Sequence, residues 1–464
     1  MSNELQDQLN GLVAELDVTG AAVGVLLDGQ ASYACSGVTS VENPLSVDEN
    51  TLFQVGSITK TFTATALLRL VDQRLVDLHA PVRTYVPEFR TKEPEVGDQV
   101  TTLHLLNHTA GWDGDLLADT GNGDDSLARY VELMADLDQV TPLGGLASYN
   151  NASLSLAGRV IERVTGASYE QAVRDLLLTP LGLENSWFFP TDVMTRRFAV
   201  GHTRHQDGRV TINRPWPVPR NASPAGGLSA SAADQLAWAR FQLSDGVTAS
   251  GARLLPAALL RGMREPTVDM GCSAYGEYVG LTWMLRDVGN TRLVSHDGGT
   301  NGQFAKLTLV PEHGFALISM TNSAPTGPWL NHVLTEWALE HYLGLADVRP
   351  EPLVPAGDDL ASFAGEYQSI AFVVTVAVEH GHLVVAMRQK PWVAEFLGEP
   401  ENEMKAPVGF VAGPRDPFVI AEGPAAGLPG GYFTRDASGA VAGIHFGGRL
   451  ALRTKPGNER ESAR

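Results

Sequence analysis

The chain has 464 residues, 53 acidic against 34 basic, a formal charge of -19 and 44% hydrophobic residues. That is ordinary globular composition, with material for more than one domain. The acidity excludes the basic footprint a nucleic-acid binder needs and mildly repels anionic membrane surfaces.

Met1 to Asp7 shows no basic region, long apolar run or small-residue cleavage site, so no signal peptide is expected. No apolar stretch is long enough to span a bilayer. The expected location is therefore the cytoplasm. Leu5, Leu9, Leu12, Val13 and Leu16 recur at helical spacing and predict a helix over 3–17. A buried strand follows over 21–27, then a turn at Asp28-Gly29 and a returning strand over 31–36. Phe62, Ala66, Leu67, Leu70 and Val71 form the stripe of a helix over 57–73. Residues 100–190 read as mostly helical, and Pro215, Pro217 and Pro219 mark an extended stretch. Strands return over 280–285, 304–310 and 315–320, followed by a helix over 329–343. Strands at both ends and helices between them predict an α+β fold. One antiparallel sheet, flanked by helices, is built from both ends of the unit, with a helical lobe inserted.

Arg349 to Pro355 is a stiff, proline-rich linker, after which the sequence changes character. Strands over 373–378 and 382–387 flank a loop at Glu379-His380-Gly381, and strand-like segments continue to Gly447–Arg453. The expected division is a catalytic domain over 1–348, a linker over 349–357, a small all-β barrel or sandwich over 358–455 and a disordered tail over 456–464. Cys35 and Cys272 lack metal-site spacing. Two thiols could close one disulfide, but buried free cysteines are the favoured reading. No metal and no cofactor are expected, and the oligomeric state is left open.

Ser57 and Lys60 stand three residues apart at the predicted helix N-terminus, so one face carries both side chains. A serine hydroxyl is a weak nucleophile until a neighbour accepts its proton, and a neutral lysine amine can do so. An amine titrates near 10.4 in water, so burial or nearby cations must lower it. Alone, Ser-x-x-Lys is a weak signal, far more often the mark of an N-cap serine beside a surface lysine. Its context adds weight: Phe53-Gln54-Val55-Gly56 leads in like a strand, and a long apolar helix follows.

Five blocks in order resemble the serine β-lactamase and penicillin-binding-protein superfamily, on its class C-like branch of esterases, D-aminopeptidases and penicillin-binding-protein-type thioesterases. They are Leu52–Lys60, Leu105-Leu106-Asn107-His108-Thr109-Ala110-Gly111-Trp112, Tyr149-Asn150-Asn151, Pro224-Ala225-Gly226-Gly227-Leu228 and His296-Asp297-Gly298-Gly299. The resemblance covers about residues 8–345. It implies a β-lactamase/transpeptidase-like fold with Ser57 as nucleophile and Lys60 as base. Tyr149, as a tyrosinate, becomes a second base or proton shuttle. Asn151 would bond Lys60 and the acyl side of the substrate, or cap a helix, or both. His296 takes the strand-borne cation position and, titrating near pH 6.5, would make activity depend on pH there. The N–H groups of Ser57 and Gly299 form the oxyanion hole, and Gly298 and Gly299 let backbone approach substrate. His108 is expected to brace the helical lobe, and Trp112 to wall the pocket or sit in the core.

His296-Asp297-Gly298 stands where class C β-lactamases usually carry Lys-Thr-Gly, which favours the esterase and peptidase side. The expected absence of an export signal argues against murein. The C-terminal domain resembles the small lipocalin-like barrels that follow the catalytic domain in D-aminopeptidase-like and thioesterase relatives, where they can roof the site. Arg449 is the candidate there to reach a substrate carboxylate or carbonyl, its alternative being a surface strand arginine. The expected activity is an acyl-Ser57 serine hydrolase of esters or small amides and peptides, including D-residue peptides. Alternatives are a thioesterase or cyclase passing the acyl group to an amine, a weak β-lactamase, or a non-enzymatic sensor or scaffold. Specificity is expected in loops near 113–130, 190–220 and 265–280 and in the roof domain.

Overall fold

The computed structural model describes residues 2–353, 360–397 and 403–454. An amphipathic helix, α1 (Ser2–Glu15), buries Leu5, Leu9 and Leu12 against the main sheet. That sheet has eight strands: β1 (Gly20–Leu27), β2 (Gln30–Gly37), β3 (Val268–Ser273), β4 (Gly276–Val279), β5 (Met284–Val288), β6 (Thr291–Gly299), β7 (Phe304–Val310) and β8 (Phe315–Thr321). Their order across the sheet is β2-β1-β8-β7-β6-β5-β4-β3. All neighbours are antiparallel, and β1 meets β8 in the register Ala21↔Thr321 to Leu26↔Ala316. The two chain ends of this unit thus close on each other, as the strand distribution predicts.

The two faces of the sheet are covered differently. Val23, Val25, Leu317 and Leu293 pack against α1 and against α5 (Gly327–Leu343). The opposite face packs on the helical lobe, whose main helices are α2 (Thr59–Asp72), α3 (Asn151–Thr165) and α4 (Ala232–Leu243). Alternation along each strand sends successive side chains to these two cores.

The strand expected over 280–285 begins only at Met284. Residues 280–283 are irregular, with Thr282 at φ 65° and its N–H donating to Leu106 O at 2.8 Å. Much of the stretch expected as a loop over 265–280 is the β3–β4 hairpin. In each case the apolar pattern is compatible with burial in more than one backbone state, and sheet pairing decides.

Eight further strands form a closed barrel: β9 (Gly365–Gln368), β10 (Phe372–Glu379), β11 (His382–Gln389), β12 (Glu403–Phe410), β13 (Pro417–Ile420), β14 (Pro429–Arg435), β15 (Val441–Phe446) and β16 (Arg449–Arg453). Closure leaves no free sheet edge. Its interior is filled by Tyr367, Val374, Val385, Phe418, Phe433 and Ile444. Gly447 and Gly448 form the turn before β16 and are not strand residues themselves. Residues 354–357 of the expected linker and the whole expected tail over 456–464 lie outside the described residues. Both cysteines are free and half-buried.

Candidate active site

Phe53 and Gln54 pair with Ala230 and Ser229, and this short ladder delivers the chain into a 3-10 turn over Gly56–Ile58. Ser57 sits in that turn, half-buried, rather than in α2 itself. Lys60, in the first turn of α2, is fully buried, with its Nζ 2.9 Å from Ser57 Oγ. The same Nζ donates to Asn151 Oδ1 at 2.8 Å and to Ala225 O at 2.6 Å. The Pro224–Leu228 block thus supplies a backbone acceptor to the amine.

Asn150, not Asn151, caps α3: its Oδ1 accepts from Ser153 N at 2.8 Å and its Nδ2 donates to Trp112 O at 2.9 Å. That leaves the Asn151 side chain, at the first helical position, free to face the site. Tyr149, two residues earlier, is 4% exposed and its hydroxyl is bonded to the Ser57 side chain. Tyr275, from the β3–β4 hairpin, stacks on its ring with centroids 5.3 Å apart. Lys60 Nζ lies 4.8 Å from the Tyr149 ring centroid. The backbone N–H of Asn150 donates to His108 Nδ1 at 3.1 Å, so His108, itself at φ 62°, braces the Tyr149 loop.

His296 is buried on β6, with Nδ1 2.6 Å from Asp297 O and its ring 6.1 Å from that of Tyr149. Gly298 lies directly against the Ser57 turn: a Cβ there would stand 1.9 Å from Val55 O and 3.1 Å from Ser57 N. The missing side chain at 298 therefore makes room for the Val55–Ser57 backbone. Gly299 follows on the same strand, and its N–H borders Gly56.

The barrel enters this site. Arg449 opens β16 and donates from Nε to Asp115 Oδ2 and, at 3.3 Å, from Nη2 to Asp115 Oδ1. It also donates from Nη1 to Gly447 O at 3.1 Å and to Tyr275 Oη at 3.4 Å. Its guanidinium carbon is 4.9 Å from the Tyr149 ring centroid. Tyr149 N–H donates to Gly448 O at 2.9 Å, Leu450 N–H to Ser148 Oγ at 3.1 Å and Ile370 N–H to Asp113 Oδ2 at 2.6 Å. Gly448 must be glycine, because its φ is 77° and a Cβ would lie 2.0 Å from Tyr275 Cδ2.

Burial, and then the Arg449 charge, hold the Lys60 pKa well below its ordinary value, with Asp115 opposing. A buried amine without a touching carboxylate favours its neutral form. Burial raises Tyr149, so the phenol is the favoured form, not the tyrosinate the resemblance implies. Burial pushes His296 down to about 4, so it is neutral near pH 6.5 and does not titrate there. Burial lowers Arg449, but Asp115 and the two tyrosines outweigh it and raise its pKa.

Ser57, Lys60, Tyr149, Asn151, His296, Gly298, Gly299 and Arg449 are thus brought to one place. Trp112 is not: its indole is 1% exposed, in the lobe core beside Phe89 at 5.8 Å. Arg449 is no surface strand arginine, since only 22% of its side chain is exposed. Sequence reasoning missed Asp115 and Tyr275. Asp113-Gly114-Asp115 directly follows the His108–Trp112 block, but nothing local tells a buried aspartate from a solvated one. Among the described residues no His, Cys, Asp and Glu cluster could hold a metal ion, and no helix is long and apolar enough to cross a membrane.

Penicillin-binding protein 4 of Amycolatopsis lactamdurans is 35% identical over 376 residues, covering 78% of this chain and 96% of that protein. Esterase EstB of Burkholderia gladioli is 32% identical over 219 residues, 44% of this chain and 55% of the esterase. The crystal structure of SurE with D-Leu superposes with a TM-score of 0.75 at 27% identity, covering 98% of this chain and 99% of that one, barrel included. The Beta-lactamase family profile matches residues 5–335, which holds every site residue outside the barrel, and the chain belongs to that family.

Proposed function

We propose that the chain is a serine hydrolase that works through an acyl-Ser57 intermediate on esters or small amides and peptides, D-residue peptides among them. The observation that carries this is the buried Lys60 amine, 2.9 Å from Ser57 Oγ and held by two neutral oxygens. Ser57 Oγ attacks the substrate carbonyl carbon while its proton passes to Lys60. The carbonyl oxygen becomes an oxyanion, received by the N–H groups of Ser57 and Gly299, and such a donor contributes roughly 3–4 kcal/mol. Tyr149, a neutral phenol bonded to Ser57, relays a proton to the leaving alcohol or amine as its bond to the carbonyl carbon breaks. Water then attacks the acyl carbon, its proton passes to the same groups, and they return a proton to Ser57 Oγ as the acyl C–Oγ bond breaks. His296, neutral and on the strand opposite, assists as a hydrogen-bonding group rather than a cation.

A second reading replaces water by an amine, giving peptide transfer or cyclisation. Two observations favour it: the barrel reaches over the site through Arg449, and one full-length likeness is to a protein crystallised with D-Leu. Arg449 is then the group that meets a carbonyl or carboxylate of a D-residue substrate. Intact-protein mass spectrometry after a fluorophosphonate probe tests the common step. One label, lost in Ser57→Ala, is expected, and an unlabelled wild type would sink the proposal. Product analysis with a peptidyl thioester separates the readings: linear acid marks hydrolysis, and a cyclic or amine-capped product marks transfer.

A further inference from the structure

A buried carboxylate stands behind Asn151, the amide that accepts from Lys60. Asp115 is 5% exposed, and its Oδ1 accepts from Asn151 Nδ2 at 2.8 Å. An ionised carboxylate only accepts hydrogen bonds, so Asn151 must turn its NH2 toward Asp115 and its carbonyl toward Lys60. Ala225 O is a second oxygen that can only accept. A neutral amine has two N–H bonds and one lone pair. With both N–H bonds drawn to Asn151 Oδ1 and Ala225 O, the lone pair is left for the Ser57 hydroxyl. Were the Asn151 amide reversed, its N–H would compete for that lone pair and the base would be lost. Asp115 is held in turn from the other domain, since Arg449 spans both its oxygens.

We infer that Asp115 is a positioning residue: it orients the Asn151 amide, and through it the Lys60 lone pair, while Arg449 of the barrel locks Asp115 in place. This rests on the acyl-Ser57 reading. It makes the barrel part of the machinery that activates the nucleophile, beyond any contact with substrate. The groups facing Lys60 are Ser57, Tyr149, His108, His296, Asn151, Asp115 and Arg449. Burial keeps both histidines from protonating and keeps Tyr149 as phenol. The charges that bear on the amine are therefore Arg449, which lowers its pKa, and Asp115, which raises it.

The test is the rate of Ser57 labelling by a fluorophosphonate as a function of pH, in the full-length protein and its variants. Asp115→Asn is expected to slow the plateau rate by roughly tenfold to a hundredfold, because the Asn151 amide is no longer constrained. The same variant removes the charge that raises Lys60, so the acid limb moves down by about one pH unit. Arg449→Met removes the charge that lowers Lys60, and its acid limb moves up by about one unit. Asp115→Glu, which keeps the acceptor, restores part of the rate. A merely structural role lowers the folded fraction without displacing the limbs in opposite directions. An unmoved limb in both variants, limbs displaced the same way, or a wild-type plateau rate in Asp115→Asn would overturn the inference. If Asp115→Asn does not fold, Arg449→Met decides alone: an unmoved limb there overturns it. Failure of the underlying reading is separate, being the absence of label on wild-type Ser57.

Discussion

The catalytic unit and the barrel each place one basic side chain against the ring of Tyr149, Lys60 Nζ at 4.8 Å and the Arg449 carbon at 4.9 Å. Their surroundings push them in opposite directions. Lys60 is bonded by a hydroxyl, an amide and a backbone carbonyl, so burial disfavours its charge. Arg449 is bonded by a carboxylate, so its charge is kept. Lys60, fully buried, thus favours the neutral amine, and Arg449, with 22% of its side chain exposed, stays a cation bonded to the Asp115 carboxylate.

The comparison breaks most sharply at Lys60. Lys60→Met should lower acylation of Ser57 by roughly a thousandfold or more, about 4 kcal/mol of barrier, read as probe-labelling rate with the thermal midpoint unchanged. On the barrel side, Gly448→Ala forces a Cβ onto Tyr275 at a left-handed φ. It should cost about 1–3 kcal/mol of stability in denaturant unfolding and slow acylation, since Gly448 O also holds Tyr149 N–H. If acylation is untouched, the barrel is not part of the site.

Acid sharpens the comparison further, because both regions bury histidines, among them His296 and His445, each pushed by burial to about 4. Such a residue stays neutral when folded but takes up a proton when unfolded below about 6.5. Its contribution is therefore present above that pH and lost as pH falls toward 4. Melting curves should show a falling midpoint over that window, reduced in His445→Phe. A midpoint independent of pH there would refute the burial of both rings. The smallest effect is expected at Arg349, whose Nη2 donates to both Glu336 oxygens at 2.9 Å while its Nη1 donates to Pro424 O at 3.1 Å in the barrel. Both charges are about one-third exposed, so Arg349→Ala should cost roughly 0.5–1 kcal/mol in the same unfolding assay.

Much of the fold was legible because it is written locally. The leucines of α1, the Asp28-Gly29 turn, the stripe of α2 and the alternation of β10 and β11 each act within a few residues. The irregular stretch at 280–283 and the β3–β4 hairpin were not legible, since their backbone state is set by strand pairing. Within the site, Ser57 and Lys60 were readable from spacing, and Tyr149 and His296 from their blocks. The protonation of Tyr149 and His296 was not, because burial sets it.

By itself the sequence marked the Ser57-x-x-Lys60 pair, the helices around it and a separate C-terminal β domain, through short-range periodicity and spacing together with the resemblance of its blocks. Only the tertiary structure decided that Asp115 and Arg449, 334 residues apart, meet beside Asn151. No local pattern could specify that pair: it exists only where the barrel docks, and docking is a property of surfaces assembled from the whole chain.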